Sequence, residues 1–331
     1  MRISSLFKDK AYAFRDVGNP EDEVKFATQV LKKFKPRFKL EEVSFLGVCD
    51  HYDLFKVINN KKERFNLKVS LSDTEGVLKK EVTALKNSKC LRVPRFIDYK
   101  KIKIGENVTC LLTQTPHGEN IRNYGRSIVF EDFQDFIDAY LEVFGNSSVK
   151  NKYRDVLSKF LEGMDPSKFL PHDTRSAFKK YTNYPLCCEF LEKLNREMRE
   201  YAEGAYKHFN YKCHSSIGLD SIFYGMTGFY FDSLSNVCMG HPFIDIIDLM
   251  LELGVKRQDD MKFVKMVCDA SNIPFEQEIY DPIYALQLRK KLADLVISYI
   301  KEVYLYGSLR YEKIFFIADT FSHCYERFRS I

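Results

Sequence analysis

The apolar positions along the first third of the chain change period in step with changes of predicted element. "NPEDEVKFATQVLKKF" (Asn19–Phe34) sets Val24, Ala27, Val30, Leu31 and Phe34 on one stripe, with Pro20 in the first turn and acids after it, and predicts a helix. From Lys39 the apolar residues alternate instead. "LEEVSFLGV", "YDLFKVINN" and "ERFNLKVSL" read as strands, with "NNKK" as the turn between the second and third. "TEGVLKKEVTALKN" returns to helical spacing through Val77, Leu78, Val82 and Leu85, and "RVPRFIDYKKIKIGENVTCLLTQT" gives two more strands around "GEN".

After Gly118 the pattern is mostly helical. "FEDFQDFIDAYLEVF", "KYRDVLSKFLEGM", "CEFLEKLNREMREYAEGAYKHF", "PFIDIIDLMLELG", "DPIYALQLRKKLADLVISYIKEVYLYG" and "LRYEKIFFIADTFSHCYERF" all space apolar residues by three and four. Residues 213–234 break the run as a loop with two short strands. The expected plan is an α+β bilobal chain. Residues 1–38 form an N-terminal helical extension, 39–117 a small β-rich lobe with one inserted helix, and 118–331 a helical lobe with an embedded hairpin at 213–234. A cleft between lobes is the default ligand site in such a plan.

Composition narrows the class without naming a chemistry. The chain has 331 residues, 45% of them hydrophobic and 29% charged, with 28 Phe, 20 Tyr and no Trp. That suits two lobes with ample core. A net charge of +5 spread along the chain permits an anionic ligand such as a nucleotide and does not argue for nucleic acid. The nine cysteines are irregularly spaced with no C-x-x-C, which fits reduced cytoplasmic thiols better than disulfides or zinc. "MRISSLFKDKAYAFRD" lacks the apolar core of a signal peptide, and no run is long enough to span a bilayer. "KKFKPRFK" mixes basic and aromatic residues, but a solvated helix end explains it more simply.

Two places carry candidate chemistry. Lys68 sits at the centre of the apolar strand "FNLKVS", where an ammonium needs a cleft or an anionic partner. Glu81, thirteen residues on in "LKKEVTAL", is the candidate partner; the plainer alternative is a solvated strand Lys and a surface helix Glu. The second place is "CHSSIGLDSIFYGMTGFYFDSL", a polar loop leading into a hairpin that ends at Asp232.

In this order the segments resemble the aminoglycoside phosphotransferase and choline kinase family, over roughly residues 40–255. "FLGVCDHYDLFKV" stands where that family has its nucleotide-covering hairpin, with Gly47 as its small residue. "FNLKV" and "KKEVTAL" stand at the strand Lys and helix Glu, "LRVPRFIDY" at a strand start, and "CLLTQTPHGENI" at the lobe linker. "CHSSIGLDSIFY" takes the place of H-G-D-x-x-x-x-N-I-L, "GFYFDSL" that of the magnesium strand, and "GHPFIDIIDL" that of G-D-P-x-x-D-L.

The resemblance implies a protein-kinase-like fold. It implies ATP held by Lys68, Glu81 and Gly47, magnesium held by Asp232, and Asp245 buttressing the loop. It also exposes departures. His214 matches, but Ser215 replaces the Gly, Ser216 the catalytic Asp and Ser221 the magnesium-binding Asn. A serine hydroxyl is no general base near neutral pH. Asp220, four residues after Ser216, is the candidate replacement carboxylate; a loop Asp bonded to its neighbouring backbone is the alternative.

The expected function is therefore a degenerate small-molecule phosphotransferase that keeps more of its nucleotide-holding parts than of its transfer parts. The alternatives are an active ATP-dependent phosphotransferase on a hydroxyl of a small polar substrate, and a pseudokinase scaffold with a protein partner. Residues 126–212 lack the dense acidic cluster that a polycationic aminoglycoside would need.

Overall fold

The computed structural model describes residues 20–48, 52–71, 76–88, 90–115, 118–121, 131–145, 149, 151–165, 184–232, 234, 236–255, 257–305 and 311–330. The chain divides into two compact units. The described residues up to Glu119, with those of 223–235, make the first; those of 120–145, 149–222 and 236 onward make the second.

The first unit is built on a five-stranded antiparallel sheet. Helix α1 (Pro20–Phe34) precedes β1 (Leu40–Val48), β2 (Asp53–Asn59) and β3 (Arg64–Ser70). Helix α2 (Val77–Asn87) follows, then β4 (Arg95–Ile104) and β5 (Glu106–Gln114). The spatial order is β1-β2-β3-β5-β4, with β3 in the middle. These are the five strands and inserted helix that the pattern predicts.

Alternation along the strands sorts side chains between the two helices. Phe65, Leu67 and Val69 of β3 join Val108, Cys110 and Leu112 of β5, Phe55 and Val57 of β2, and the α1 stripe of Ala27, Val30, Leu31 and Phe34 in one core. On the opposite face Leu111 packs with Leu78 and Val82 of α2. Asn66 and Lys68, at the other parity of β3, therefore belong to the α2 face. Leu54 and Leu111 flank Lys68 in the sheet register. Near the end of α1, Lys33 donates to the Lys103 carbonyl of β4 at 2.6 Å, and Lys35 lies 3.8 Å from Asp98.

Two-residue strand β6 (Glu119–Asn120) lies beside the hairpin of β8 (Ile222–Gly225) and β9 (Gly228–Phe231). Gly118, just before β6, is needed for this approach: a Cβ there would stand 2.8 Å from the Tyr224 carbonyl oxygen. Phe229 and Phe231 point into the core, and the Phe231 N–H donates to the Arg92 carbonyl at 2.9 Å. That pinning sets the position of the next residue, Asp232.

The second unit is helical: α3 (Phe133–Tyr140) running into a π-turn at Leu141–Gly145, α4 (Tyr153–Gly163), α5 (Tyr184–Tyr206), α6 (Pro242–Leu253), α7 (Arg257–Ser271), α8 (Gln277–Leu305) and α9 (Tyr311–Arg329). Between α5 and α6 lie β7 (Tyr211–Cys213), a 3-10 turn at Leu219–Ser221 and β10 (Cys238–Gly240), with β7 and β10 antiparallel. Helix α7 is absent from the sequence reading. Its apolar residues, Met261, Phe263, Val264, Met266, Val267 and Cys268, crowd into one short run rather than a spaced stripe, and its first turn carries Asp259 and Asp260. Among the described residues no helix is long and apolar enough to cross a membrane.

Candidate functional site

In the first unit the lysine predicted to need a partner has one. Lys68 Nζ donates to Glu81 Oε1 at 2.7 Å, and neither side chain is exposed. Strand parity aims Lys68 at α2, and Glu81 lies on the inward face of α2 with Val77, Leu78, Val82 and Leu85. The reading of Glu81 as a surface helix residue is thereby replaced by a buried ion pair. Burial opposes the ammonium charge of Lys68. Glu81, Tyr52 and Asp232 more than offset it, and the pKa of Lys68 lies well above the ordinary lysine value.

Asp232 belongs to the same cluster. Asn66 Nδ2 donates to Asp232 Oδ1 at 3.0 Å, and the Asp232 charge bears on both Lys68 and Glu81. Asn66 escaped the sequence reading. The available signal is its i, i+2 relation to Lys68, which puts a polar residue on the same face of an otherwise apolar strand. Gly47 lies in β1 opposite Leu54, beside a register shift between Phe45 and Gly47. Cys49, Asp50 and His51, at the tip of the same hairpin, lie outside the described residues.

The cluster's donors suit an anion held by an ammonium, with one carboxylate alongside for a hard cation. Magnesium typically takes one or two protein carboxylates and completes its shell with phosphate oxygens and water. Among the described residues no group of three His, Cys, Asp or Glu side chains is placed to hold a metal by itself. Asp232 would hold magnesium only together with phosphates, and the metal would supply charge neutralisation there.

The polar loop that begins at His214 lies in the second unit. His214 is buried, with its ring 5.4 Å from that of Phe144. Its backbone N–H donates to Asp245 Oδ2 at 2.5 Å, and the Tyr140 hydroxyl donates to the same oxygen at 2.6 Å. Burial pushes Asp245 up to about 7, against the pull of these hydrogen bonds. Ser215 adopts a left-handed backbone, φ 69°. Glycine tolerates that conformation and a residue with a Cβ does not favour it, so the loop here has a shape that suits glycine better than serine. The Ser215 hydroxyl donates to the Asn236 carbonyl at 2.9 Å.

Ser216 is exposed, and its oxygen accepts from Asn236 Nδ2 at 2.8 Å. The Ser221 hydroxyl donates to the Gly218 carbonyl at 2.8 Å and accepts from the Gly218 N–H at 3.2 Å, closing a local turn. Asp220 has its backbone in the 3-10 turn; its side chain lies outside the described residues.

Helix α6 grips this loop with more than Asp245. Asp248 and Glu252 continue one buried line at i+3 and i+7. Lys290 of α8 donates to Asp248 Oδ2 and to the Ser215 carbonyl, both at 3.2 Å. Glu252 Oε2 accepts from the Leu219 N–H at 3.3 Å and from Lys291 Nζ at 3.4 Å. A Cβ on Gly218 would meet that carboxylate at 3.1 Å. At the start of α6, His241 Nδ1 accepts from the Phe243 N–H at 3.3 Å and caps the helix. Burial, with the nearby His208 charge, pulls the pKa of His241 down to about 3. Of these acids, the family resemblance points to Asp245 alone. The three acids at helical spacing in "FIDIIDLMLEL" were the signal for the rest.

No protein-family profile matches the sequence, and no curated protein matches it. Solved structures match over most of the chain. Choline kinase LicA from Streptococcus pneumoniae has a TM-score of 0.60 at 12% identity, covering 93% of this chain and 100% of its own. Spectinomycin phosphotransferase APH(9)-Ia, solved with ADP and spectinomycin, has a TM-score of 0.59 at 11% identity, covering 91% and 97%. Aminoglycoside phosphotransferase APH(3'')-Id from Streptomyces rimosus has 0.57 at 14%, covering 80% and 98%. The chain has the protein-kinase-like α+β fold of these small-molecule phosphotransferases.

Proposed function

We propose that this chain is a degenerate small-molecule phosphotransferase that binds a magnesium–nucleotide at Lys68, Glu81 and Asp232 and has lost the carboxylate that activates the acceptor. The observation that carries the proposal is the buried Lys68–Glu81 pair at 2.7 Å with Asp232 bearing on it. Phosphoryl transfer is chiefly positioning and charge stabilisation, and the charged cluster of the first unit supports this reading. In this reading Lys68 holds phosphate oxygens, Glu81 holds Lys68, and Asp232 takes magnesium. Gly47 lends its backbone to the covering hairpin. On the loop, His214 is structural, and Ser216 stands where a general base is needed but cannot serve as one.

The ADP in the spectinomycin phosphotransferase structure supports ATP as the nucleotide class. The small-molecule kinases among the structural relatives support a small polar hydroxyl compound as the acceptor of any residual activity.

The test is a thermal-shift titration with ATP and magnesium on the wild type and on Asp232→Ala. Ligand at a hundredfold excess over its Kd stabilises by about 2.7 kcal/mol, a shift of several degrees. A magnesium-dependent shift in the wild type that the variant lacks is expected. The absence of any shift at millimolar ATP would overturn the proposal in favour of a scaffold with a protein partner.

A further inference from the structure

The ammonium of Lys68 is sealed on every side, and one of the seals is a residue that neither the ion pair nor the loop accounts for. Lys68 has three N–H donors and is 0% exposed. One donor goes to Glu81 Oε1 at 2.7 Å. The ring of Tyr52 lies with its centroid 5.1 Å from Lys68 Nζ, within the range of cation–π attraction. The body of the same ring packs against Leu78, Val82 and Leu111. Tyr52 thus bridges the β1–β2 turn to α2 directly over the lysine.

A phosphate oxygen must come within about 2.7–2.9 Å of an ammonium nitrogen to form a charge-assisted hydrogen bond. Something has to move first. Leu54 and Leu111 are ladder neighbours of Lys68, and their main chains are held by the strand pairing. Glu81 is fixed in the buried face of α2. Tyr52 is different. The last ladder pair of β1 and β2 is Val48 with Asp53, so Tyr52 is the first residue beyond the ladder and its side chain can rotate without breaking a strand pair. It is also half-buried, so rotation carries it toward solvent.

We propose that Tyr52 closes the anion-binding side of Lys68, so that phosphate reaches the ammonium only after the ring has swung away. This rests on the reading of Lys68 as the phosphate lysine. A binding-competent state that is a minor fraction of the population weakens apparent affinity by that fraction. Removing the ring should therefore tighten binding.

The experiment compares wild type, Tyr52→Ala and Tyr52→Phe in two measurements. The first is the Kd for ATP with magnesium. The second is the rate at which an amine-acylating reagent modifies Lys68, read by peptide mass spectrometry. Tyr52→Ala is expected to bind ATP at least about tenfold tighter than wild type, and Tyr52→Phe, which keeps the ring, within about twofold of it. Lys68 should be acylated at least about tenfold faster in Tyr52→Ala and at the wild-type rate in Tyr52→Phe, in line with the same population argument.

Nucleotide binding that Tyr52→Ala leaves equal or weakens overturns the gate while leaving the nucleotide site in place. If no variant binds ATP, the nucleotide reading fails, and acylation then decides the gate alone. Faster labelling of Tyr52→Ala upholds Tyr52 as the seal of Lys68, and equal labelling overturns it.

Discussion

The backbone N–H of His214 and the hydroxyl of Tyr140 converge on one oxygen of Asp245, at 2.5 and 2.6 Å, in a site with no exposure. The arrangement ties a loop from one stretch of sequence to helices from two others, and it has a pH signature. Burial raises the folded-state pKa of Asp245 from an ordinary 3.8 to about 7. The folded protein therefore binds this proton more tightly than the unfolded chain. Its contribution is fully present below about pH 4 and is lost as pH rises through about 7, amounting to roughly 4 kcal/mol across the window at about 1.4 kcal/mol per pKa unit. His241, pulled down to about 3, works in the opposite direction over the same range. The difference between wild type and Asp245→Asn in urea denaturation, from pH 4 to 8, isolates the Asp245 part. The variant should gain stability relative to wild type as pH rises; a flat difference curve would refute the assignment.

The Lys68–Glu81 pair predicts an asymmetry between breaking and replacing it. Glu81→Ala leaves a buried ammonium without its main partner and should cost about 3–5 kcal/mol. Replacing both members, Lys68→Met with Glu81→Leu, keeps volume and removes both charges, and should bring stability back to within about 2 kcal/mol of wild type. Chemical denaturation of the single and double variants measures this. A double variant as unstable as the single one would mean that the pair is worth far more than its desolvation cost.

Ser215 holds a left-handed backbone that its Cβ disfavours. Ser215→Ala loses the hydrogen bond to the Asn236 carbonyl and keeps the strain. Ser215→Gly loses the same bond and relieves the strain. The glycine variant should therefore be more stable than the alanine variant by about 1–2 kcal/mol. Equal midpoints in thermal denaturation would show that the strain is not there.

Ser216 and Asp232 should separate transfer from binding. Ser216→Ala removes an exposed hydroxyl that accepts from Asn236. It should shift stability by no more than about 0.5 kcal/mol and leave the magnesium–ATP thermal shift unchanged, whereas Asp232→Ala abolishes that shift. Ser216→Asp puts a carboxylate at the position proposed for the general base, and a general base contributes about 10²–10⁴-fold. ATP turnover by this variant, followed as ADP release, should exceed wild type by at least tenfold. No gain in a variant that still binds ATP would overturn the role proposed for position 216, with Ser221→Asn the next variant to test.

Lys68 and Glu81 were legible because an ammonium inside an apolar strand demands a partner, and the demand shows in one dimension. Asp232 was legible only through its place in an ordered series of segments. Asn66 and Tyr52 were not, because what they do depends on three strands and a helix meeting: Asn66 reaches a residue 166 positions away. The ion-paired lysines of α8 were hidden for a related reason. Lys290 and Lys291 read as an ordinary charged break in a helix until α6 supplies the carboxylates that they face. The strands and most helices were visible because period alone identifies them, and α7 was not because its apolar residues crowd into 261–268 instead of spacing along a stripe.

Asp245, Lys290 and Glu252 hold the 214–219 loop by its main chain: the His214 N–H, the Ser215 carbonyl and the Leu219 N–H. A segment clamped through its main chain keeps its curve when an exposed side chain such as that of Ser216 is exchanged. The loop is in that sense a socket. Its path is set from behind by α6 and α8, and the residue at position 216 can be exchanged without rebuilding the path. A protein with such a socket can shed one chemistry and take up another by changing a few exposed side chains, and the same property makes this loop a practical place to graft an activity.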